Sequence, residues 1–189
     1  MQASGQPMPL DWVRFAPVVR DPSKIIAIRL NYLDHVRESK GKVPEISLVF
    51  AKLASSLIAH NDWITGDTRL TRKVDFEVEL PIITGKTVYN CDGTQTMDSI
   101  LGYTCANDGS ARDPQFGDGE RVRGKSLCTF CPLGPWIVTS DKISDSRSLG
   151  IRGWPNGRIM RDSNTSSTIL KLPKLISFLS KNFTLSRVM

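Results

Sequence analysis

A seven-residue stretch at positions 74–80 constrains this chain more than any other part of it. Its sequence, VDFEVEL, alternates apolar and acidic residues. Because side chains of a strand alternate between two faces, the pattern predicts a strand with one buried face. The opposite face then carries three carboxylates, those of Asp75, Glu77 and Glu79. The apolar residues that follow extend the predicted strand to residue 83.

The carboxylate face has two interpretations. Neighbours at i and i+2 lie about 6 to 7 Å apart along a strand, so their charges repel. The repulsion grows where water is excluded, and a hard divalent cation such as Mg²⁺, which prefers oxygen ligands, would reverse it. The alternative is a solvated acidic face, because charged side chains are mostly exposed. Taken alone, the stretch favours the solvated face and leaves the metal site open.

Composition narrows the class of protein. The chain has 189 residues, 40% hydrophobic and 23% charged, which suits one globular domain with a sizeable core. The net charge of +6 comes from scattered basic residues, so a small anionic partner is expected and nucleic-acid binding is not. No apolar run is long enough to span a membrane, and no secretory signal or clear transit peptide is visible.

The cysteines could indicate zinc or redox chemistry, because Cys128 and Cys131 form a CxxC pair. Zinc would require a second close pair, which Cys91 and Cys105 do not form. A redox motif would open a helix, but prolines and a glycine follow at once. Free thiols are therefore expected, with the two chemistries as alternatives.

Periodicity and turn signals predict the elements that follow an extended lead-in over residues 1–23. Strands are expected over 24–28, 47–51, 74–83, 104–108 and 136–139, helices over 31–39, 92–103 and 173–182, a polar loop over 109–124, and a hairpin turn at Asn156 and Gly157. In the first helix, His35 and Glu38 share a face at i and i+3.

Several separated phrases agree with a known family in order and spacing. They are NYLDHVRE at 31–38, FEVEL at 76–80, GY at 102–103, ND at 107–108, SARD at 110–113, Gln115, GKS at 124–126 and FCPLGPW at 130–136. Together they resemble the fumarylacetoacetate hydrolase family, and more narrowly its animal domain-containing-2 type, over about residues 13–186. Arg29, Gly109, Pro114 and Pro155 depart from the family pattern.

The resemblance implies an α+β, mostly β fold, a fumarylacetoacetase C-terminal-like mixed β-sandwich roll with flanking helices. The lead-in over 1–23 would precede a single catalytic domain over 24–189. Family members continue with further strands, so the roll is expected to be incomplete at its C-terminal end. The chain is then expected to be a truncated member that is weakly active or inactive by itself and prone to self-association, and a homodimer is the expected assembly.

The resemblance also implies a site. It is similar to sites in which Mg²⁺ or Mn²⁺ is bound through two glutamates and an aspartate, matched here by Glu77, Glu79 and Asp108. The implied substrate is a small anionic 2-oxo acid. The implied reactions are oxaloacetate keto–enol tautomerisation, or a related C–C hydrolysis or decarboxylation of acylpyruvates and β-diketo acids. Many animal members are mitochondrial, so a mitochondrial or cytoplasmic location is expected.

The remaining site residues have chemistry of their own. His35 beside Glu38 can form an acid–base dyad, and Lys125 can steady an enolate as a cationic point charge. Arg112 can grip a carboxylate, and Gln115 can orient a carbonyl or a water. A surface histidine and solvated charges are the simpler alternatives. A non-catalytic relative that binds a metal or a partner without turnover is the alternative for the whole chain.

Overall fold

The computed structural model describes residues 5–119 and 121–188. Its strands are β1 (Ile25–Arg29), β2 (Leu48–Lys52), β3 (Leu57–Ile58), β4 (Val74–Asp75), β5 (Val78–Glu79), β6 (Ile82–Thr84), β7 (Ile100–Asn107), β8 (Ser110–Ala111), β9 (Cys131–Thr139), β10 (Gly150–Gly153) and β11 (Arg161–Asn164). Its α-helices are α1 (Leu33–Glu38), α2 (Thr94–Asp98), α3 (Arg112–Gly117), α4 (Val122–Lys125) and α5 (Leu172–Asn182).

Strand β7 is the centre of the main sheet. It pairs antiparallel with β9 on one side and with β5 and β6 on the other, while β3 adds to β9 in parallel. Smaller two-stranded sheets join β1 to β2, β4 to β8 and β10 to β11. The expected α+β, mostly-sheet class is confirmed. The proposed domain boundary at residue 24 stays a prediction.

Helix α5 covers the main core cluster. Pro173 lies in its first turn, where the missing N–H is not needed, and Ile176 and Leu179 are buried against Tyr103 of β7. Each such aliphatic side chain contributes about 1.5 to 3 kcal/mol when it is fully buried. The amphipathic pattern therefore predicts this helix correctly. The helix expected over 31–39 is present as α1, and the strands expected over 24–28 and 47–51 are present as β1 and β2.

The strand predicted over 74–83 is observed as three short strands in one antiparallel register. β4 pairs with β8, and β5 and β6 pair with β7. The first interruption follows Asp75, whose carboxylate accepts from the Phe76 N–H at 2.9 Å. Pro81 has no N–H to donate to a ladder and separates β5 from β6. Val74 is exposed, but Phe76, Val78 and Leu80 are partly buried, so the predicted apolar face is covered from Phe76 onward.

Two other predicted segments differ from the structure. The helix predicted over 92–103 stops at Asp98, and β7 begins at Ile100, because pairing on both edges of β7 overrides the helical spacing. The loop predicted over 109–124 contains β8, α3 and α4. Pro114 fits at the third position of α3, where helix geometry requires no intrahelical N–H.

The hairpin turn is confirmed. Asn156 and Gly157 both have positive φ, at 51° and 75°, and Pro155 lies just before them outside the ladder. All four cysteines are free thiols. Within the described ranges, no helix is long and apolar enough to cross a membrane.

Candidate active site

Backbone pairing places Glu77 beside Asp108. The Asp108 N–H donates to the Glu77 carbonyl at 2.8 Å, and the Glu77 N–H donates to the Asn107 side chain at 3.0 Å. These bonds continue the antiparallel register in which Val78 of β5 faces Asn107 of β7. The two carboxylates therefore project from adjacent backbones, as the metal-site prediction requires.

Lys125 lies between these two carboxylates. Its Nζ is 2.8 Å from Glu77 Oε2 and 2.8 Å from Asp108 Oδ2, and its side chain is 2% exposed. Gly124 allows this approach, because a Cβ there would lie 2.5 Å from the Gln115 nitrogen in α3. Helix α4 can thus pack closely on α3 and direct the next residue into the site.

Lys52, at the end of β2, is a site residue that the sequence analysis missed. Its buried ammonium lies 2.6 Å from Asp108 Oδ1 and donates also to the carbonyls of Gly109, at 3.3 Å, and Lys125. Three acceptors match the three donors of an ammonium group. The available signal was a lysine directly after an apolar strand, but the predicted strand stopped at residue 51.

Arg112 is bound by the protein's own acids. Its Nε and Nη2 donate to Asp75 Oδ2 at 2.9 and 2.6 Å, and its Nη1 donates to Glu77 Oε1 at 2.6 Å. The same Nη1 lies 2.8 Å from Oε1 of the buried Gln115. The structure thus joins both predicted substrate-binding residues to the carboxylate cluster. Asp75, a member of the acidic stretch with no predicted role, completes this network.

Glu79 differs from the other carboxylates. No lysine, arginine or histidine forms an ion pair with it among residues 5–119 and 121–188. Burial, together with the nearby charges of Glu77 and Asp108, raises the pKa of Glu79 to about 7. For Glu77, burial opposes ionisation, but Lys125 and Arg112 outweigh it and lower the pKa.

The cluster carries one carboxylate more than it has cations. Four acids face three bases: Asp75, Glu77, Glu79 and Asp108 against Lys52, Arg112 and Lys125. In the described part of the chain, no three Asp, Glu, His or Cys side chains converge closely enough to hold a metal ion in this conformation. The donor chemistry nevertheless fits a hard cation, because the surplus charge is a carboxylate without a partner.

His35 and Glu38 lie on α1, as predicted, but they are not in direct hydrogen bonding. His35 Nδ1 is 3.9 Å from Glu38 Oε2. Arg161 of β11 lies against both, with Nη1 3.1 Å from Glu38 Oε2 and Nη2 3.3 Å from His35 Nδ1. The solvated-histidine alternative therefore does not describe His35 fully, because it contacts a guanidinium from a distant strand.

Two backbone contacts place α1 beside β11 and the β10–β11 hairpin beside β5. Asn31, just before α1, bonds through its backbone and side chain to residues 169 and 170, which follow β11. In the hairpin, Arg161 faces Gly153, where a Cβ would lie 2.4 Å from Val78 of β5. The hairpin can therefore pack directly on the strand that carries Glu79.

Charges from both the carboxylate cluster and the His35–Arg161 contact act on Tyr32. Burial raises its pKa to about 12, with a further contribution from the charge of Glu79 and an opposing one from Arg161. Arg161 likewise opposes the raised pKa of Glu79. The histidine pair and the carboxylate cluster are thus within electrostatic range of each other, and Arg161 lies near both.

The chain belongs to a known family. The model of the fumarylacetoacetate (FAA) hydrolase C-terminal family matches residues 24–187, which is most of the chain. This match confirms the family expected from the separated phrases. Enzymes named as tautomerases and isomerases occur among the relatives of this chain.

Three relatives illustrate the similarity. An uncharacterized protein of Archaeoglobus fulgidus is 43% identical over 96% of this chain and 70% of its own length. The mitochondrial oxaloacetate tautomerase of Xenopus laevis is 42% identical over 90% of this chain. The crystal structure of 5-carboxymethyl-2-hydroxymuconate delta-isomerase from Mycobacterium smegmatis has a TM-score of 0.85 at 35% identity, covering 98% of this chain and 72% of the isomerase.

The animal relatives are considerably longer than the matched region. The chain spans 54% of the Xenopus tautomerase and 57% of the rat one. For this chain, the activity of those whole proteins is therefore a proposal.

Proposed function

We propose that this chain is a metal-dependent enzyme domain that acts on small 2-oxo diacids, with oxaloacetate keto–enol tautomerisation as its reaction. The observation that carries the proposal is the carboxylate cluster around Lys52, Arg112 and Lys125, in which Glu79 has no ion-pair partner among residues 5–119 and 121–188. Its similarity to named oxaloacetate tautomerases supports the choice of substrate. Hydrolysis or decarboxylation of related substrates would use the same groups.

Glu77, Glu79 and Asp108 are the residues that would hold Mg²⁺ or Mn²⁺. Carboxylate oxygens are the ligands that both ions prefer. When bound, the ion would polarise the 2-oxo group of the substrate. Metal dependence is general in the family, which supports the assignment, and the identity of the ion is part of the proposal.

The chain's own residues would supply the other functions. Lys125, buried at the centre of the cluster, would stabilise negative charge that develops on the substrate oxygen. Arg112 and Gln115 would position a substrate carboxylate, in exchange for part of their present contacts with Asp75 and Glu77. His35 would move the proton at C3 of the substrate.

The partners and location are also proposals. The substrate is a small dianion, in keeping with the net charge of +6, and a homodimer is the expected assembly. Two archaeal proteins match as well as the animal mitochondrial ones, which favours the cytoplasmic alternative over the mitochondrial one.

A non-catalytic role has one observation in its favour. Lys125 and Arg112 already satisfy Glu77 and Asp108 through ion pairs, so the cluster could serve only to hold β5, β7, α3 and α4 together. A protein of this kind would bind a cation or a partner without turnover.

The decisive experiment follows the decay of enol-oxaloacetate by ultraviolet absorbance, with the purified chain and with or without Mg²⁺. Decay faster than the uncatalysed rate, and dependent on both chain and metal, is expected. A metal-induced stabilisation without any acceleration would support the non-catalytic alternative. If neither acceleration nor metal-induced stabilisation is observed, the cluster is purely structural.

We expect Mg²⁺ or Mn²⁺ to raise the thermal midpoint of the folded chain. A ligand that binds only the native state adds about 2.7 kcal/mol to the free energy of unfolding at one hundred times its Kd. Glu79→Gln should abolish this rise at pH 8. Without metal, the same variant should be at least as stable as the wild type, because an unpartnered charge beside two other acids is removed.

Glu45→Gln is the matched control, since Glu45 is exposed and lies outside the cluster. Its metal-induced rise should equal that of the wild type. If Glu79→Gln responds to Mg²⁺ as strongly as the control does, the cation binds elsewhere and the ligand assignment is wrong.

A further inference from the structure

Arg161 contacts both members of the His35–Glu38 pair. Its guanidinium reaches from β11 to α1, across 126 residues of sequence, and lies 3.3 Å from His35 Nδ1 and 3.1 Å from Glu38 Oε2. Its side chain is 26% exposed, against 66% for Glu38, so the contact lies on the inner side of the pair. No sequence motif pointed to a function for this arginine.

Hydrogen-bond chemistry fixes the direction of the contact with His35. A guanidinium carries only donors, so Nδ1 of the ring must accept. An imidazole nitrogen that accepts carries no proton, and in the neutral ring the proton is then on Nε2. Glu38, at 3.9 Å from Nδ1, is too far to take a proton from that atom in a hydrogen bond, and its carboxylate is bound by Arg161 instead.

We infer that Arg161 is a positioning residue for His35, which fixes the neutral imidazole with its proton on Nε2 and separates it from Glu38. His35 and Glu38 would then be two members of a three-residue group whose central member is Arg161. The ring offers a donor at Nε2, and the lone pair that the proposed proton transfer at C3 requires becomes available at Nδ1 only when the guanidinium moves away. The value of this arrangement for turnover rests on the proposed function, but the tautomer itself does not.

The tautomer can be measured without any activity assay. Nitrogen-15 NMR of the full chain, at about pH 8.5 where histidine is ordinarily neutral, distinguishes the two ring nitrogens through their chemical shifts and couplings to the ring carbon protons. The chain has two histidines, so His60, whose ring packs edge-on against Phe15 at 5.2 Å, provides an internal reference.

In the wild type we expect His35 to prefer the Nε2–H form by about tenfold or more, because a charge-assisted donor occupies Nδ1. Arg161→Met keeps much of the side-chain volume and removes every donor. In that variant Glu38 becomes the nearest partner of Nδ1, and the preference should shift towards Nδ1–H. Arg158→Met, at an exposed position in the same hairpin, should leave the ratio unchanged.

Glu38→Gln gives a second test that does not depend on the folding of Arg161→Met. The donor remains in this variant, so His35 should keep its wild-type tautomer. Three results would overturn the inference: a proton on Nδ1 in the wild type, an unchanged ratio in Arg161→Met, or a ratio that changes in Glu38→Gln. Absence of tautomerase activity would leave these spectra unaffected and would count only against the proposed function.

Discussion

Lys52→Met should destabilise the folded chain by about 3 to 5 kcal/mol, the usual effect of removing one partner from a buried ion pair. Lys52 is 4% exposed, and its ammonium donates to Asp108 Oδ1 and to the carbonyls of Gly109 and Lys125. Methionine fills similar space but removes the donor from these three buried acceptors, while Asp108 Oδ2 keeps its ion pair with Lys125. Urea denaturation at pH 7 measures the loss as a lower midpoint with an unchanged slope.

Two further variants show whether the loss belongs to the ion pair. Lys42→Met removes an exposed lysine and should change the free energy of unfolding by about 0.5 kcal/mol at most. The double variant Lys52→Met with Asp108→Asn should be less destabilised than the sum of the two single variants, because residues in contact are coupled. A Lys52→Met protein as stable as the Lys42→Met control would refute the structural role of Lys52.

The parts of the fold that the sequence predicted well depend on local signals. Helix α5 has a proline in its first turn and apolar residues at helical spacing, and the β10–β11 turn has the Asn-Gly pair that positive φ favours. The same kind of signal misled where tertiary pairing was stronger. Ile100 has helical spacing relative to Met97, yet it opens a strand that pairs on both edges.

The candidate site was predictable to a different degree. Glu77 and Asp108 were expected to meet because the family resemblance matches both to metal ligands, and the β5–β7 register brings their backbones together. Lys52 and Arg161 could not be found this way. They reach Asp108 and His35 across 56 and 126 residues of sequence, and a contact at that separation is set by the packing of whole elements.

The alternation of residues 74–80 predicted the face of the strand on which the site lies, but not its partners. A period of two places the three acids on one face where a single ladder continues through them, and β4 and β5 keep one antiparallel register with residues 106–111. Arg112 accordingly contacts both Asp75 and Glu77. Glu79, the third acid, has no ion-pair partner among the residues described, which is the feature that supports a bound cation.

His35→Ala should lower kcat for enol-oxaloacetate by about 10² to 10⁴, the range for loss of a general acid–base residue. The substitution leaves the Arg161–Glu38 ion pair, at 3.1 Å, available to hold α1 against β11, so the fold should be retained. The metal-induced rise in thermal midpoint should also be retained, since none of the expected ligands, Glu77, Glu79 and Asp108, lies on α1. Steady-state kinetics with saturating Mg²⁺ separates the effect on kcat from that on KM.

His60→Ala is the matched control, because it removes the other histidine of the chain, which packs against Phe15. It should reduce kcat far less than His35→Ala does. Unchanged kcat in His35→Ala would refute the proton-transfer role, whatever happened to KM. An equal loss in both variants, with intact circular dichroism, would show that the effect is not specific to the ring beside Arg161. A selective loss at His35 would place proton transfer on α1 and leave the binding of the cation to Glu77, Glu79 and Asp108.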